Sequence, residues 1–182
     1  EVAGEIADKD VKSLQLAALK GVFTDVVSDH VSYVNAPVLA EQRGVETRLT
    51  TTSESPAYRN TVTVKGATSN GTQLSVSGTL TGPKQVQKVV GIDGYEIEVP
   101  LAEHLLVFRY TDRPGVIGTI GKVLGDADVN IAGMDVSRQS EGGEALAMLT
   151  LDAALPAGVA EQLGESIGAS KVAGIDLLDL EH

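Results

Sequence analysis

The chain has 182 residues, of which 42% are hydrophobic but only 3% aromatic, so Val, Leu, Ile and Ala are expected to build its core. Fourteen basic and twenty-five acidic side chains give a net charge of −11, which argues against the basic surface typical of proteins that bind nucleic acids or anionic membranes. The absence of cysteine excludes disulfides and thiolate metal sites, and no apolar run reaches the roughly 18 residues of a membrane-spanning helix.

The beginning of the chain predicts short strands and helices in a mixed α/β arrangement. A strand is expected over residues 1–6, followed by a helix over 11–23 for which Asp8 provides the capping side chain. A second, short helix is expected over 38–42, and Gly44 ends it.

Two β-hairpins are predicted next, because stretches of alternating apolar and polar residues flank typical turn sequences. The first turn contains Asn70 and Gly71, and the second contains Asp93 and Gly94. The strands are expected over residues 61–64 and 73–80 for the first hairpin, and 85–90 and 95–99 for the second.

A regular alternation of strands and helices begins after Pro100, which marks a domain border. The order is strand, helix, strand, strand, helix, strand, over residues 105–111, 114–127, 130–138, 145–152, 158–167 and 171–180. This order is typical of a ferredoxin-like sandwich, in which two helices cover one face of a four-stranded antiparallel sheet. The sequence therefore predicts an α+β protein of two domains.

We expect the mixed α/β domain to span residues 1–102 and the ferredoxin-like domain to span 103–180. The second domain is the more acidic, with five basic and twelve acidic side chains. Residues 181–182 resemble the start of an expression tag. Because Glu1 opens within a strand-like run without an initiator Met, the chain is expected to be an engineered fragment of a longer protein.

The strongest candidate site lies where the strand ending at Thr111 leads into the next helix. Asp112 is expected to cap this helix, with Pro114 as an early helical residue, and Gly115 allows close approach of a ligand. Free amides at a helix start suit a carboxylate, while Asp112 suits an ammonium group, so both ends of an amino acid find a partner. Spacing alone nevertheless favours an ordinary capped helix.

Two motifs in this domain carry a resemblance to a known family. The first is Asp-Arg-Pro-Gly-Val-Ile-Gly over residues 112–118, and the second is Val-Asn-Ile-Ala-Gly-Met over 129–134. Together they resemble ACT domains, which are small βαββαβ modules that bind amino acids where two copies pair. The resemblance implies self-association through this domain and an effector site shared by two chains.

Further segments carry a second resemblance. They are residues 18–21, 33–37, 53–55, 77–80, 92–95, 131–138 and 142–146. These segments resemble the C-terminal regulatory region of the bacterial D-3-phosphoglycerate dehydrogenase family, whose intervening, or allosteric substrate-binding, domain precedes the ACT domain. The resemblance implies that the intervening domain is truncated at its N-terminus in this chain. The resemblance implies a cytoplasmic enzyme that oxidises 3-phosphoglycerate with NAD at the first step of L-serine biosynthesis. It also implies that catalysis and NAD binding reside in a part of the enzyme outside this chain, and that no cofactor binds here.

The resemblance further implies that L-serine binds as a feedback effector between the strand-to-helix loop of one chain and the second-strand entrance of its neighbour. The effector-binding positions transferred on this basis are Tyr110, Asp112, Arg113, Gly115, Asn130 and Ile131. Arg113 has a second interpretation, as a solvated loop residue.

Some relatives have a basic anion pocket in the intervening domain, and Lys84, Lys88 and Arg59 are the candidates for one here. Two positions where such relatives place arginine are Pro100 and Thr150 in this chain, a departure that weakens the expectation. His30 and His104 have no second His or Cys at metal-ligand spacing, so no metal site and no catalytic residue is expected.

Two other functions remain open at this point. A related intervening domain and an ACT module also occur in iron-sulfur L-serine dehydratases, which degrade serine, and cluster-binding cysteines on an adjoining segment would identify that enzyme. Alternatively, the chain is a dimerisation module without a ligand, in which case amino acids and anions would leave its thermal stability unchanged.

Overall fold

The computed structural model describes residues 1–24, 26–28 and 30–177, which form two compact units, Glu1–Gln73 and Leu74–His182. The predicted domain border at 102–103 differs from this division and stays a prediction. The tag-like residues 181–182, and the last three residues of the strand predicted over 171–180, lie outside the described residues. Within the described residues, no helix is long and apolar enough to cross a membrane.

The first unit combines two helices with a small three-stranded sheet. Its elements are β1 (Val2–Gly4), α1 (Lys12–Phe23), α2 (Ala36–Gln42), β2 (Thr51–Thr52) and β3 (Asn60–Ala67). β1 lies in the middle of the sheet, parallel to β2 and antiparallel to β3. The helices pack together through a cluster of buried apolar side chains, Leu19, Phe23, Val31, Ala36, Leu39 and Ala40.

The capping prediction for α1 is wrong in detail. Asp8 ends a turn of 3-10 helix over Glu5–Asp8, and its side chain does not cap the helix. Instead, the Lys12 backbone N–H donates to Asp10 Oδ1 at 3.2 Å. Asp10, two residues after Asp8, therefore accepts a hydrogen bond from a free amide at the start of the helix.

The second unit begins with a three-stranded antiparallel sheet of β4 (Gln73–Thr81), β5 (Val86–Ile92) and β6 (Tyr95–Pro100). Asp93 and Gly94 join β5 to β6 with φ angles of 49° and 86°. Two consecutive left-handed residues make the tight turn whose twist matches a β-hairpin, and Asp and Gly tolerate that conformation best. The predicted second hairpin is confirmed.

The rest of this unit is the ferredoxin-like sandwich that the sequence predicts. Its elements are β7 (His104–Thr111), α3 (Val116–Asp126), β8 (Ile131–Arg138), β9 (Glu144–Leu151), α4 (Val159–Ile167) and β10 (Lys171–Asp176). The strand order is β10-β7-β9-β8 with every pair antiparallel. α3 buries Val116, Ile120, Val123 and Leu124, whose spacing places them on one helix face.

Both faces of this four-stranded sheet are covered. The helices cover one face, where Leu106, Phe108 and Leu149 are almost fully buried. Side chains of β5 and β6 cover the other face, over Leu105, Leu146 and Met148. Consequently β9 is buried on both sides from its second residue to its last, which is the continuous burial typical of a central strand.

We expect a polypeptide of residues 103–177 to be much less stable than one of residues 74–177. Without β4–β6, the apolar side chains of Leu105, Leu146 and Met148 become exposed, and burial of each contributes about 1.5–3 kcal/mol. Urea denaturation should give a free energy of unfolding at least about 3 kcal/mol lower for the shorter polypeptide. Equal stabilities would show that the sandwich does not depend on β4–β6.

Candidate functional site

The loop between β7 and α3 differs from its prediction in where the helix starts. α3 begins at Val116 and its N-cap residue is Gly115, so neither Asp112 nor Pro114 holds the expected place. Gly115 has a φ of 89°, a left-handed conformation that only glycine adopts without strain. A Cβ atom on Gly115 would meet nothing within 4 Å, so the space beside the helix start is open.

Asp112 is held in place by the strands next to it rather than by α3. Its carboxylate accepts a hydrogen bond from Arg138 Nη1 at 3.0 Å, and its backbone N–H donates to the Gly143 carbonyl oxygen at 2.8 Å. The Asp112 side chain is 24% exposed and that of Arg138 is 58% exposed. The carboxylate is therefore fixed, yet within reach of solvent.

Arg138 is a residue that the sequence analysis missed. It stands opposite Ala145 in the β8–β9 ladder, and Ala145 stands opposite Tyr110 in the β9–β7 ladder. Residues directly opposite one another in antiparallel strands project to the same face, so Arg138 reaches the helix-covered face near Asp112. With the strand order assumed, counting cross-strand residue pairs outward from the turn at Gly142 and Gly143 would have placed Arg138 near Asp112.

Tyr110 is a core residue in this chain, with 2% of its surface exposed and its ring 5.7 Å from that of Phe108. Burial raises the pKa of Tyr110, the Asp112 carboxylate raises it further, and Arg138 lowers it. The phenol therefore lies within electrostatic range of the Asp112–Arg138 ion pair.

Arg113 has a structural contact of its own. Its Nη2 donates to the carbonyl oxygen of Ile167, the last residue of α4, at 3.3 Å. A cation at this place satisfies a carbonyl group at the negative end of the helix dipole. Arg113 thus ties the loop to the second helix.

The two remaining effector positions lie at the entrance to β8. Asn130 Nδ2 donates to Asp152 Oδ2 at 2.6 Å, and Ile131 stands opposite Leu151 at the end of β9. Asn130 is exposed and Ile131 is half-buried. The amide of Asn130 is thereby oriented by a neighbouring carboxylate.

The structure does not bring the two groups of effector positions together within one chain. Thr111, next to Asp112, stands opposite Glu144 at the start of β9, whereas Ile131 stands opposite Leu151 at its end. Seven residues of strand separate these levels, a distance of about 23 Å. A single small molecule cannot contact both groups in one copy of the chain.

The candidate anion-site residues are paired with carboxylates. Lys88 Nζ contacts the Glu98 carboxylate, and Arg59 Nη2 lies 2.6 Å from Glu5 Oε2. Lys84 is exposed in the turn between β4 and β5. An anion would have to compete with Glu98 or Glu5 for these charges, and the anion site stays a prediction.

A polar cluster connects the β5–β6 turn to the sheet of the sandwich. Arg109 Nη2 bonds the Asp93 carboxylate, and the Arg109 guanidinium lies 5.4 Å from the centre of the Tyr95 ring. The Tyr95 hydroxyl donates to Glu144 Oε2 at 2.8 Å. Asp93 Oδ1 in turn accepts from the Ser75 backbone N–H at 2.5 Å, so the cluster fixes β4 and the turn to β7 and β9.

A cleft of about 230 Å³ lies at the end of the sandwich where β7 begins and β10 ends. His104 Nδ1 lies 2.7 Å from Asp176 Oδ1 at its edge, while Leu155 and Pro156 line it further in. None of the predicted effector residues lines this cleft. Among the described residues, no group of three or more His, Asp or Glu side chains is placed to hold a metal ion.

Comparison with known families covers both halves of the chain. Residues 1–93 match the D-3-phosphoglycerate dehydrogenase intervening domain, and residues 104–168 match the ACT domain. The intervening-domain match takes in β1 to β5, and the ACT match takes in β7 to α4.

Curated relatives match almost the whole chain. It is 42% identical to a D-3-phosphoglycerate dehydrogenase of Mycobacterium leprae over 97% of its length, which is 33% of that protein. Identity is 33% to the dehydrogenase of Methanocaldococcus jannaschii, over 96% of this chain and 33% of the relative. Identity is 32% to the dehydrogenase of Bacillus subtilis, over 97% of this chain and 33% of the relative. The chain therefore spans about a third of the length of the curated relatives it matches.

We expect Tyr95→Phe to lower the free energy of unfolding by about 1 kcal/mol at pH 7, because Glu144 loses a hydrogen-bond donor. Burial, and then the Glu144 carboxylate, raise the pKa of Tyr95 above its usual value of 10.0. The folded protein thus holds the phenol proton more tightly than the unfolded chain, a contribution complete below about pH 10 and lost as pH rises through the folded pKa.

Urea denaturation at pH 7 and at about pH 11 measures both effects, and the difference between wild type and Tyr95→Phe should shrink at the higher pH. Tyr33→Phe is the matched control, since Tyr33 is 54% exposed. Equal losses for the two variants at pH 7 would contradict the role given to the Tyr95 hydroxyl.

Proposed function

Because the chain belongs to the D-3-phosphoglycerate dehydrogenase intervening-domain family and carries an ACT domain as well, we propose that it is the regulatory region of an NAD-dependent D-3-phosphoglycerate dehydrogenase. In this proposal the enzyme oxidises 3-phosphoglycerate in the cytoplasm at the first step of L-serine biosynthesis, and NAD binds outside these residues. The region itself binds L-serine as a feedback effector and performs no catalysis.

The observation that carries the effector site is the placement of its two groups of residues. Asp112 and Gly115 lie at one end of the sheet, and Asn130 lies at the other, about 23 Å away. Each group alone offers too few contacts to enclose an amino acid. A complete site therefore requires one group from each of two chains.

The edge of the sheet offers a way to bring the groups together. β8 is an edge strand, with no strand paired to its outer side in the described part of the chain. If two β8 strands pair in antiparallel fashion, the start of one lies beside the end of the other. Arg138 at the end of β8 contacts Asp112, so Asn130 of one chain reaches the Asp112 loop of the next.

Each residue then has a defined part in binding serine. Asp112 accepts from the ammonium group, and the open helix start at Gly115 leaves room for the ligand carboxylate. Asn130, with its amide oriented by Asp152, hydrogen-bonds the hydroxyl or carboxylate from the neighbouring chain. Tyr110 and Ile131 support these groups from the core, and Arg113 holds the loop to α4.

Regulation follows from where the ligand binds. A ligand shifts a conformational equilibrium only as far as it binds one state better than another. Serine at a two-chain site favours the arrangement in which Asp112 and Asn130 of different chains face each other. That preference then passes from the paired ACT domains to the catalytic part of the enzyme.

The other functions left open by the sequence have less support. The curated relatives described above carry the name of the dehydrogenase, which favours serine synthesis over the iron-sulfur dehydratase. A ligand-free dimerisation module would give no reason for the open space beside the half-buried Asp112 carboxylate at Gly115.

Titration calorimetry of the full chain with L-serine should show binding to wild type and none to Asp112→Ala or Asn130→Ala. If the site is shared, mixing the two variants restores it, because a mixed pair has one site with Asp112 from one chain and Asn130 from the other. Binding in the mixture should then reach about a quarter of the wild-type number of sites, the statistical outcome of random exchange between pairs.

Lys122→Ala is a suitable control, since Lys122 is exposed on α3 and pairs with Asp126. A mixture that binds no serine, although the variants exchange partners, would contradict the shared site. Absence of binding to wild type would contradict the effector function itself.

A further inference from the structure

The Asp112–Arg138 ion pair occupies the place where the charged end of an amino acid is to bind. We propose that Arg138 is the side chain that binds the ligand carboxylate, beside the open helix start at Gly115, and that the ligand inserts between Asp112 and Arg138, exchanging their contact for two new ones. The proposal rests on the proposed effector function of this site. It assigns a specificity-determining residue that the effector motifs do not contain.

The geometry of the pair allows this exchange. The Asp112 backbone N–H donates to the Gly143 carbonyl oxygen at 2.8 Å, so the backbone that carries the carboxylate keeps its position when Arg138 leaves. Arg138 is joined to it through Nη1 at 3.0 Å, and its side chain is 58% exposed. The guanidinium can therefore turn aside without losing a packed position, and its planar fork is then free to bind a carboxylate through two hydrogen bonds.

Neighbouring cations are committed elsewhere. Arg109 bonds Asp93 on the opposite face of the sheet, and Arg113 donates to the carbonyl oxygen of Ile167. Among the described residues, Arg138 pairs with the Asp112 carboxylate. The ammonium group of the ligand is proposed to bind this same carboxylate. When the ligand takes Asp112, Arg138 is left as an uncompensated positive charge beside it, in the right place for the carboxylate.

The balance of charge favours a zwitterion over an amine or an acid. The Asp112–Arg138 pair is partly exposed, and ion pairs near the surface contribute little to stability, so opening it costs little. A zwitterion replaces one such pair with two and leaves the net charge of the site unchanged. An amine alone leaves Arg138 without a counter-charge, and a carboxylic acid alone leaves Asp112 without one. The site should therefore select α-amino acids with both groups free.

Calorimetry of the full chain with L-serine and with L-serinamide, which lacks the carboxylate, tests this assignment. For wild type we expect serinamide to bind more weakly than serine. Arg138→Gln should weaken serine binding by about tenfold to a hundredfold, the usual effect of losing a hydrogen-bonded charge, and change serinamide binding by less than about threefold. Lys122→Gln should leave both ligands unaffected, and thermal unfolding confirms that each variant is folded.

The outcomes separate this inference from the proposed function. If Arg138→Gln weakens both ligands by the same factor, Arg138 only positions Asp112 and the assignment is overturned, although the effector function stands. If the variant binds serine as wild type does, the assignment is likewise overturned. If wild type binds no serine, both the proposed effector function and the assignment of Arg138 are overturned.

Discussion

Residues Ala145 to Leu151 are buried on both sides of the four-stranded sheet, and the arrangement of the whole second unit depends on this burial. A strand of apolar side chains on both faces requires two covers. α3 and α4 supply one, and the side chains of β5 and β6 supply the other. Removing either cover would expose a full face of apolar surface, whose burial is the main stabilising contribution to such a fold.

This double cover also decides where a ligand can bind. Both faces of the sheet are occupied, so polar groups gather at its ends and along its edge strand β8. Asp112 and Arg138 lie at one end, and Asn130 and Asp152 lie at the other. A site that contains both groups then requires a second chain, which is why amino-acid binding and pairing are linked in the proposed function.

Much of this fold can be predicted from the sequence because local patterns determine it. The helix face of α3, with Ile120 and Leu124 four residues apart, follows from periodicity, and the turn at Asp93 and Gly94 follows from backbone preference. The apolar run from Ala145 to Leu149 is typical of a strand that is buried on both faces. The sequence could not predict that β5 and β6 cover the second face, because contacts between β6 and β9 depend on tertiary packing rather than on residues close in sequence.

The candidate site, like the fold, could be predicted from the sequence only where local patterns determine it. The motif predicted that Asp112 matters, but local helix chemistry indicated a capping role. In the structure its carboxylate instead pairs with Arg138, twenty-six residues later in the chain, because an ion pair across the sheet competes with capping of the helix. Tyr110 was expected to contact the ligand, and its place in the core follows from strand alternation, which turns Arg109 to one face and Tyr110 to the other.

That alternation gives β7 a mechanical property. Arg109, which holds the β5–β6 turn through Asp93, is three residues from Asp112, and the strand between them is hydrogen-bonded to β9 over this stretch. So short a length of paired strand is stiff, and it rigidly connects Asp112, the proposed binding residue, to the contact between Arg109 and Asp93. A shift of the Asp112 backbone would therefore be passed to Arg109 and to its contact with Asp93, even though the Asp112–Arg138 and Arg109–Asp93 pairs lie on different faces of the sheet.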